Sequence, residues 1–565
     1  MATRLEGSAL RFVARAARCG PVARLLLSSM AREYGIPALL ALGAEHHRPP
    51  DATARPLEGA PPRRGSDARL GPPPPHPLSA RRLRAAFLES TSNPEEVLDR
   101  LVGRLEARDL GLATHSPFVA LDLEGAREAA RTSALRYRAG ASLGPLDGIP
   151  VPVKDEHDMK GLPTGGGTAY RTTAATTDSF AVKCLRASGA VLPGKTHATE
   201  WGMCPVGRNP HVRMPRNVRD ADRAGGGSST GSAAAVALGL APVAVGSDGG
   251  GSIRVPSALQ GIFGLKPTFG RVGRTGDIFG TGTMSHIGPI GASTADLVDL
   301  LGVLAATADP DDEPALRPPD LPDPGARWEA ALGRGVTGVR IGVPEAEWAD
   351  ADDAVVGPCR AALQALESEG ARLVPVSLPL LAHAPALGVV VIATETMGAL
   401  QDDVRQHLDA MGDDLQVLLA VVGQIRARDY LLGLQVRAAL RRAAAATLAD
   451  LDLLALPATR TLAPSHPLTL DGVAVQDSAS TRAMCRYAFF GNLTGLPAGS
   501  VPVGTSRGLA VGLQFVGDAW DEASVLAAMA HVERIGLAAI PPPPSHPLAD
   551  ASPERSDLDR APTLR

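Results

Sequence analysis

The chain has 565 residues, of which 44% are hydrophobic and 21% charged, the balance of a soluble globular protein long enough to bury a large core. A net charge of −4 and an aromatic share of only 3% argue against nucleic-acid binding, because no basic field draws phosphates and few rings are available for stacking. Five scattered cysteines without a CxxC pair point to a reduced cytosolic compartment and away from a thiolate metal site.

The first 32 residues hold six arginines against a single acid, Glu6. Leu10, Val13 and Ala17, then Leu25 to Leu27, share a face at helical spacing. The segment therefore reads as an amphipathic surface helix, with some transit-peptide character, able to rest on a membrane surface or on a partner protein. No apolar run reaches the roughly 18–20 residues that span a bilayer. Residues 48–77 are rich in Pro, Arg and Gly and read as an extended linker or surface-hugging arm. A helix is expected after Asn93, its N-cap, with Pro94 at the first position, Glu95 and Glu96 in the first turn, and an apolar stripe of Val97, Leu98, Leu101, Val102 and Leu105.

Short strands are expected at 149–153, 190–192, 242–245, 340–343 and 453–456, each bounded by Gly, Pro or Asp. Alternating with helical patterns, they indicate an α/β architecture. Residues 309–326, rich in Pro and Asp, read as a surface loop, and the tail from Pro541 to Arg565 reads as disordered.

Two familiar motifs match on paper and fail on context. Gly189 to Thr196, GAVLPGKT, fits a Walker A expression, but a helix-like segment precedes it and AVL within it reads as a strand, so Lys195 is expected simply to follow a core strand. Gly227 to Gly231, GSSTG, fits a nucleophile elbow centred on Ser229, yet the preceding PRNVRDADRAGG is no buried strand. The thirteen histidines are scattered, and neither a metal nor any other cofactor is indicated.

Chemistry concentrates between Gly225 and Thr268. A glycine-rich loop leads into a small-residue helix near 232–240 and a strand, after which Ser247-Asp248-Gly249-Gly250-Gly251-Ser252 forms a second loop before a helical segment near Val255. Glycines before a serine let backbone N–H groups converge on a developing oxyanion, so Ser252 is placed as a nucleophile. Such a hydroxyl needs a base. Lys154 ends the apolar segment Ile149-Pro150-Val151-Pro152-Val153; burial disfavours an ammonium there, and a neutral amine accepts a proton.

Taken together, these segments resemble the amidase signature family. GPLDGIPVPVKDEHD at 144–158, GGGSSTGS at 225–232, SDGGGSIR at 247–254, HIGPIGASTADL at 286–297 and NLTGLPAGSVPVG at 492–504 carry the resemblance, which spans about residues 80 to 540. It implies a central mixed twisted β-sheet covered by helices on both faces, with a leader and arm over 1–77, a catalytic domain over 78–545 and a tail over 546–565. It also implies a triad of Lys154, Ser228 preceded by a cis peptide, and Ser252, with oxyanion donors on the amides of Gly249, Gly250, Gly251 and Ser252. The choice of Ser228 over Ser229 rests on that resemblance alone. Ser229, Asp248 and Arg254 are assigned supporting places, the last two fixing the loop by pairing with neighbouring polar groups. Two departures, Glu156-His157 after the KD pair and Thr230 in the serine loop, are read as not touching the triad.

The leader, GGGTA at 165–169 and RNPH at 208–211 are similar to plant-type fatty acid amide hydrolases. That likeness implies hydrolysis of N-acylethanolamine-type lipid amides, a leader covering an acyl channel and a homodimer; composition adds no nucleic-acid partner, the cysteines a cytoplasmic protein, and the leader's apolar face a peripheral membrane contact. The segment 380–422, rich in Ala, Leu and Val, is where the family varies its acyl pocket and could accommodate an alkyl chain, although a helix core would have the same composition. The alternatives are a small- or aryl-amide hydrolase of the same family, the glutaminase subunit of an amidotransferase, and a non-catalytic amide-binding protein on the same fold.

Overall fold

The computed structural model describes residues 4–43, 70–73, 76–106, 115–280, 282–312 and 324–539. The linker's residues 48–69 and the tail from 541 lie outside them.

An 11-stranded sheet runs through the molecule. Across it the strands are Phe118–Leu121, Gly194–Thr196, Val153–Lys154, Val243–Asp248, His286–Gly291, Phe263–Lys266, Ala498–Ser506, Leu509–Gly517, Leu453–Pro457, Arg340–Val343 and Arg372–Pro375. Parallel pairs flank an antiparallel middle, and the edge strand Phe118–Leu121 is again antiparallel to Gly194–Thr196, so the sheet is mixed. All six residues of Val243–Asp248 are buried, although successive side chains of a strand point to opposite faces; both faces there are therefore covered. Helix Arg254–Gln260 lies against the antiparallel pair Ala498–Ser506 and Leu509–Gly517, and Asp353–Ser368 and Glu522–Arg534 also contact it. This is the expected α/β fold.

Local expectations met tertiary structure unevenly. The helix after Asn93 spans Pro94–Glu106, with the Glu96 amide donating to Asn93 Oδ1 at 3.1 Å and the stripe from Val97 to Val102 buried. The expected strand over 149–153 shrinks to Val153–Lys154. Val191 still bonds across to Ile149 and Val151, but Pro150, Pro152 and Pro193 lack the N–H groups a continuous ladder needs. The strand expected at 190–192 accordingly forms only an isolated bridge, and Gly194–Thr196 pairs instead. Lys195 thus lies within a strand rather than after one, buried and 2.8 Å from Asp155, and GKT opens no helix. Val243–Asp248 extends three residues past its expected end because it pairs in register with His286–Gly291, down to Asp248 opposite His286. The small-residue helix begins earlier than expected, as Thr230–Ala237.

The Pro/Asp stretch is less exposed than expected where it is described. Asp309 and Asp312 are buried, and Asp312 forms a two-pronged pair with Arg274 at 3.0–3.1 Å; the far end joins helix Pro324–Leu332. A 19-residue segment, Leu381–Ala399, is long and apolar enough to cross a membrane, contrary to the sequence reading, but half of it is buried inside the protein.

The leader folds as helices Gly7–Ala17, Gly20–Tyr34 and Ile36–Leu40, preceded by Arg4–Glu6, which pairs with Val475–Asp477 in a separate two-stranded sheet. Leu10 and Ala14 bury against Val417 and Val421 of helix Asp413–Val422. Arg18 adds contacts to Asp409 at 2.6 Å and Gln416 at 2.9 Å. The leader's apolar face is therefore spent largely on its own protein, while Phe12 and Leu25 remain exposed.

Candidate active site

Sheet order brings the singled-out residues together. The short strand ending at Lys154 lies beside Val243–Asp248, so the lysine meets the end of the strand that carries Ser247. The segment around Gly227 crosses that end, and the Gly227–Ser228 peptide is cis, as the resemblance implied. Lys154 is fully buried. Its Nζ lies 2.7 Å from Ser228 Oγ, 2.8 Å from Ser247 Oγ and 2.9 Å from Glu156 Oε1. Ser247 Oγ in turn donates to Glu156 Oε2.

Two of these four residues were not foreseen, and two expectations are corrected. Glu156, read as a departure that leaves the triad alone, touches its lysine directly. The turn that carries the His157 amide back to the Lys154 carbonyl, at 3.2 Å, folds the glutamate under the amine. Ser247 was placed in a loop, whereas it is the penultimate residue of a strand. A buried carboxylate two residues after a buried lysine was the available signal; its direction was not.

The loop after Asp248 is fastened from beneath. Asp248 accepts from Arg254 at 2.9 and 3.0 Å, from Asn492 at 2.9 Å, and from the amides of Gly251 and Ile253 at 2.7 and 3.2 Å. Arg254 also reaches Gln514, Asn492 and the Ala488 carbonyl. Burial alone would push the Asp248 carboxyl up, but the charge and hydrogen bonds of Arg254, with those of Asn492, hold it well below the usual carboxylate range. Neither residue lines the cavity onto which the serines open, and their hydrogen bonds tie the loop to the segments beneath it.

This fastening corrects the oxyanion set. With its amide donating to Asp248, Gly251 is not available to an oxyanion, and it does not line the cavity. Gly249, Gly250 and Ser252 do. Gly251 serves the turn itself: its φ of +121° suits glycine, and a Cβ there would come within 2.7 Å of the Ala488 methyl. Ser229 is buried, donates to the Ser247 carbonyl at 3.1 Å and gives its amide to the Ser252 carbonyl at 3.3 Å. It ties the two serine loops together, and Ser228, not Ser229, meets the lysine.

Ser228, Ser247, Ser252 and Glu156 open onto one cavity of about 180 Å³. Away from them the wall is mostly apolar: Leu27, Met30 and Tyr34 from the leader, Val389 and Ile392 from helix Ala384–Ala399, and Phe489. A smaller polar part of the wall holds Arg208, Glu395 and Asp477 together with Glu200, which contacts His211 at 2.7 Å, and Asp414, whose carboxyl is pushed up to about 7 by burial and by the charge of Glu200. Among the described residues no group of three or more His, Cys, Asp or Glu side chains is arranged to hold a metal ion.

The sequence profile of the family described as Amidase matches residues 97–526. The chain is 35% identical over 480 residues to a glutamyl-tRNA(Gln) amidotransferase subunit of Chloroflexus aurantiacus, a match that covers 80% of this chain and 95% of that protein. It is 31% identical over 458 residues to a fatty acid amide hydrolase of Medicago truncatula, over 80% of this chain and 75% of that protein. A solved bacterial aryl acylamidase of the amidase signature enzymes is similar in fold, with a TM-score of 0.71, 25% identity, and coverage of 83% of this chain and 97% of that one.

Proposed function

The chain belongs to the Amidase family of amide hydrolases, and within it we propose a fatty acid amide hydrolase that cleaves N-acylethanolamine-type lipid amides through an acyl-enzyme on Ser252. The observation that carries the substrate is the shared cavity: the serines open into a space whose wall is largely aliphatic and which the leader helix Gly20–Tyr34 helps to close. Such a wall suits an alkyl chain, with polar groups such as Glu200 and Arg208 confined to a part of it.

In this reading Ser228 passes the Ser252 proton to Lys154, and Ser252 Oγ bonds to the carbonyl carbon. The amides of Gly249, Gly250 and Ser252 hold the oxyanion. The proton returns through Ser228 to the leaving amine as the C–N bond breaks. Water then attacks the ester, its proton taken by the same relay, and the carboxylic acid and free Ser252 are released. The leader's exposed Phe12 and Leu25, beside Arg11, Arg15 and Arg24, support peripheral contact with an anionic membrane from which a lipid amide would be drawn.

The test is a substrate panel of N-acylethanolamines of increasing chain length beside benzamide and glutamine. The lipid reading expects kcat/KM to rise about fourfold per added methylene until the cavity fills, from about 0.8 kcal/mol per buried CH₂. A flat or falling series with benzamide preferred would sink it. Preferred hydrolysis of glutamine would favour the second reading, a glutaminase subunit, which the 35% identity to part of an amidotransferase supports.

A further inference from the structure

We propose that Glu156 is a positioning residue of the proton relay, aiming the Lys154 amine at Ser228 and balancing the ammonium that forms when Ser252 attacks. The proposal rests on the reading of Lys154, Ser228 and Ser252 as that relay.

Three oxygens surround Lys154 Nζ, and their proton inventory sets the direction of transfer. A carboxylate accepts only. Ser247 gives its proton to Glu156 Oε2, so toward the lysine, 2.8 Å away, it too can only accept. Ser228 Oγ, 2.7 Å away, accepts from the amine in the structure, but once the amine is neutral and donates to Ser247 its lone pair is left for Ser228, the remaining neighbour with a proton to give. Glu156 thus fixes, through Ser247, which way the relay runs.

Charge supplies the second half. When the proton arrives, the amine becomes a cation in a buried site, where an uncompensated charge is costly. Glu156 Oε1 stands 2.9 Å away, only 1% of the side chain is exposed, and the contact acts through charge rather than as a directed hydrogen bond. The neighbouring charges are otherwise engaged. Asp155 pairs with Lys195 at 2.8 Å, His157 with Asp277 at 3.0 Å, Glu200 with His211 at 2.7 Å, and Asp158 accepts from Thr164 at 2.7 Å. On the cavity wall Glu395 accepts from the Thr283 amide at 2.8 Å, and Asp248 is locked to Arg254. Glu156 therefore stands to Lys154 as the buried aspartate stands to histidine in a Ser-His-Asp triad: it orients the base and balances the charge the base acquires.

Glu156→Gln removes the charge, nearly keeps the shape, and retains an oxygen that can accept from Ser247. On the best substrate of the panel, kcat/KM should fall roughly 10- to 100-fold, a part of what positioned acid–base catalysis contributes. The acidic limb of its pH profile should move to lower pH by about half a pH unit or more, since without the anion the lysine gives up its proton more readily. Glu156→Asp, which keeps the charge, should restore most of the rate. A limb that stays in place in Glu156→Gln overturns the proposal, whether or not the rate falls, because a merely structural glutamate would not set its position. Should Glu156→Gln not fold, Glu156→Asn makes the same charge change and is held to the same limb shift. Ser252→Ala separates the two levels: if it remains active, the relay itself is wrong, whereas an inactive Ser252→Ala with an unmoved limb in the Glu156 variants defeats this inference alone.

Discussion

The floor and the roof of the cavity are built by different physics. The floor, at Lys154, Ser228, Ser247 and the loop to Ser252, is a web of short directed contacts seated on the buried Asp248–Arg254 pair, with side chains of 0% exposure on both partners. The roof, from the leader and helices Ala384–Ala399 and Asp413–Val422, rests on aliphatic contacts such as Leu10 with Val417, and its ion pairs lie at the rim, where Arg18 and Asp409 are 42% and 87% exposed. Directed contacts hold reacting atoms in place, whereas aliphatic contacts tolerate exchange of size and shape. The floor is thus suited to determine the reaction and the roof to determine which amide undergoes it.

That division can be broken from either side. The largest effect should come from the floor: Ser252→Ala is expected to lower amide hydrolysis by about 10³-fold or more and to abolish fluorophosphonate labelling, with unchanged thermal unfolding. Wild-type turnover in that variant would end the assignment. Beneath the floor, Arg254→Leu leaves Asp248 buried without its cation and should cost about 3–5 kcal/mol in urea unfolding. A loss below about 1 kcal/mol would mean that Asn492 and the loop amides suffice to hold the carboxylate.

The roof should respond selectively. Leu27→Ala with Met30→Ala removes leader side chains that line the cavity. It should lower kcat/KM on the longest favourable acyl chain by about tenfold or more, while short amides change little. Equal losses on long and short amides would show that the leader supports the floor as well, and floor and roof would no longer be separable.

The smallest effect on rate is expected from Asp296, away from both regions. It accepts from Ser293 Oγ at 2.7 Å and from the Ala80 amide at 2.8 Å, and burial, with Asp299 and Glu533 nearby, pushes its carboxyl from 3.8 up to about 8. The folded chain then keeps a proton that the unfolded chain releases, so the associated stability is present at acid pH and is lost as pH rises from about 4 to about 8. Glu533, raised to about 7, adds to the same window. Asp296→Asn should flatten that decline in thermal unfolding without changing turnover; an unchanged slope would show that Asp296 does not hold the proton.

Much of this was legible in the residues. The glycine run, the serine that ends it and a lysine closing an apolar segment identified the chemistry, and the helix after Asn93 appeared with its cap, because caps and glycine conformations are short-range effects. Strand bounds were less legible. Prolines cut the ladder at 150, 152 and 193, and the pairing of Val243–Asp248 with His286–Gly291 lengthened a strand whose own residues gave no sign of it.

By itself the sequence offered a glycine nest ending in Ser252 and a lysine closing an apolar segment, each readable from neighbours a few residues away, and the family resemblance of those segments implied that they serve amide cleavage. Tertiary structure brought Ser228, which the resemblance had selected over Ser229, onto the lysine and added Ser247, whereas the contacts of Glu156 with Lys154 and of Gly251 with Asp248 are local turns. The two serine contacts depend on which strands lie side by side, bringing residues 74 and 93 positions apart within 2.8 Å. No local pattern encodes that order; it follows from burying the whole sheet at once.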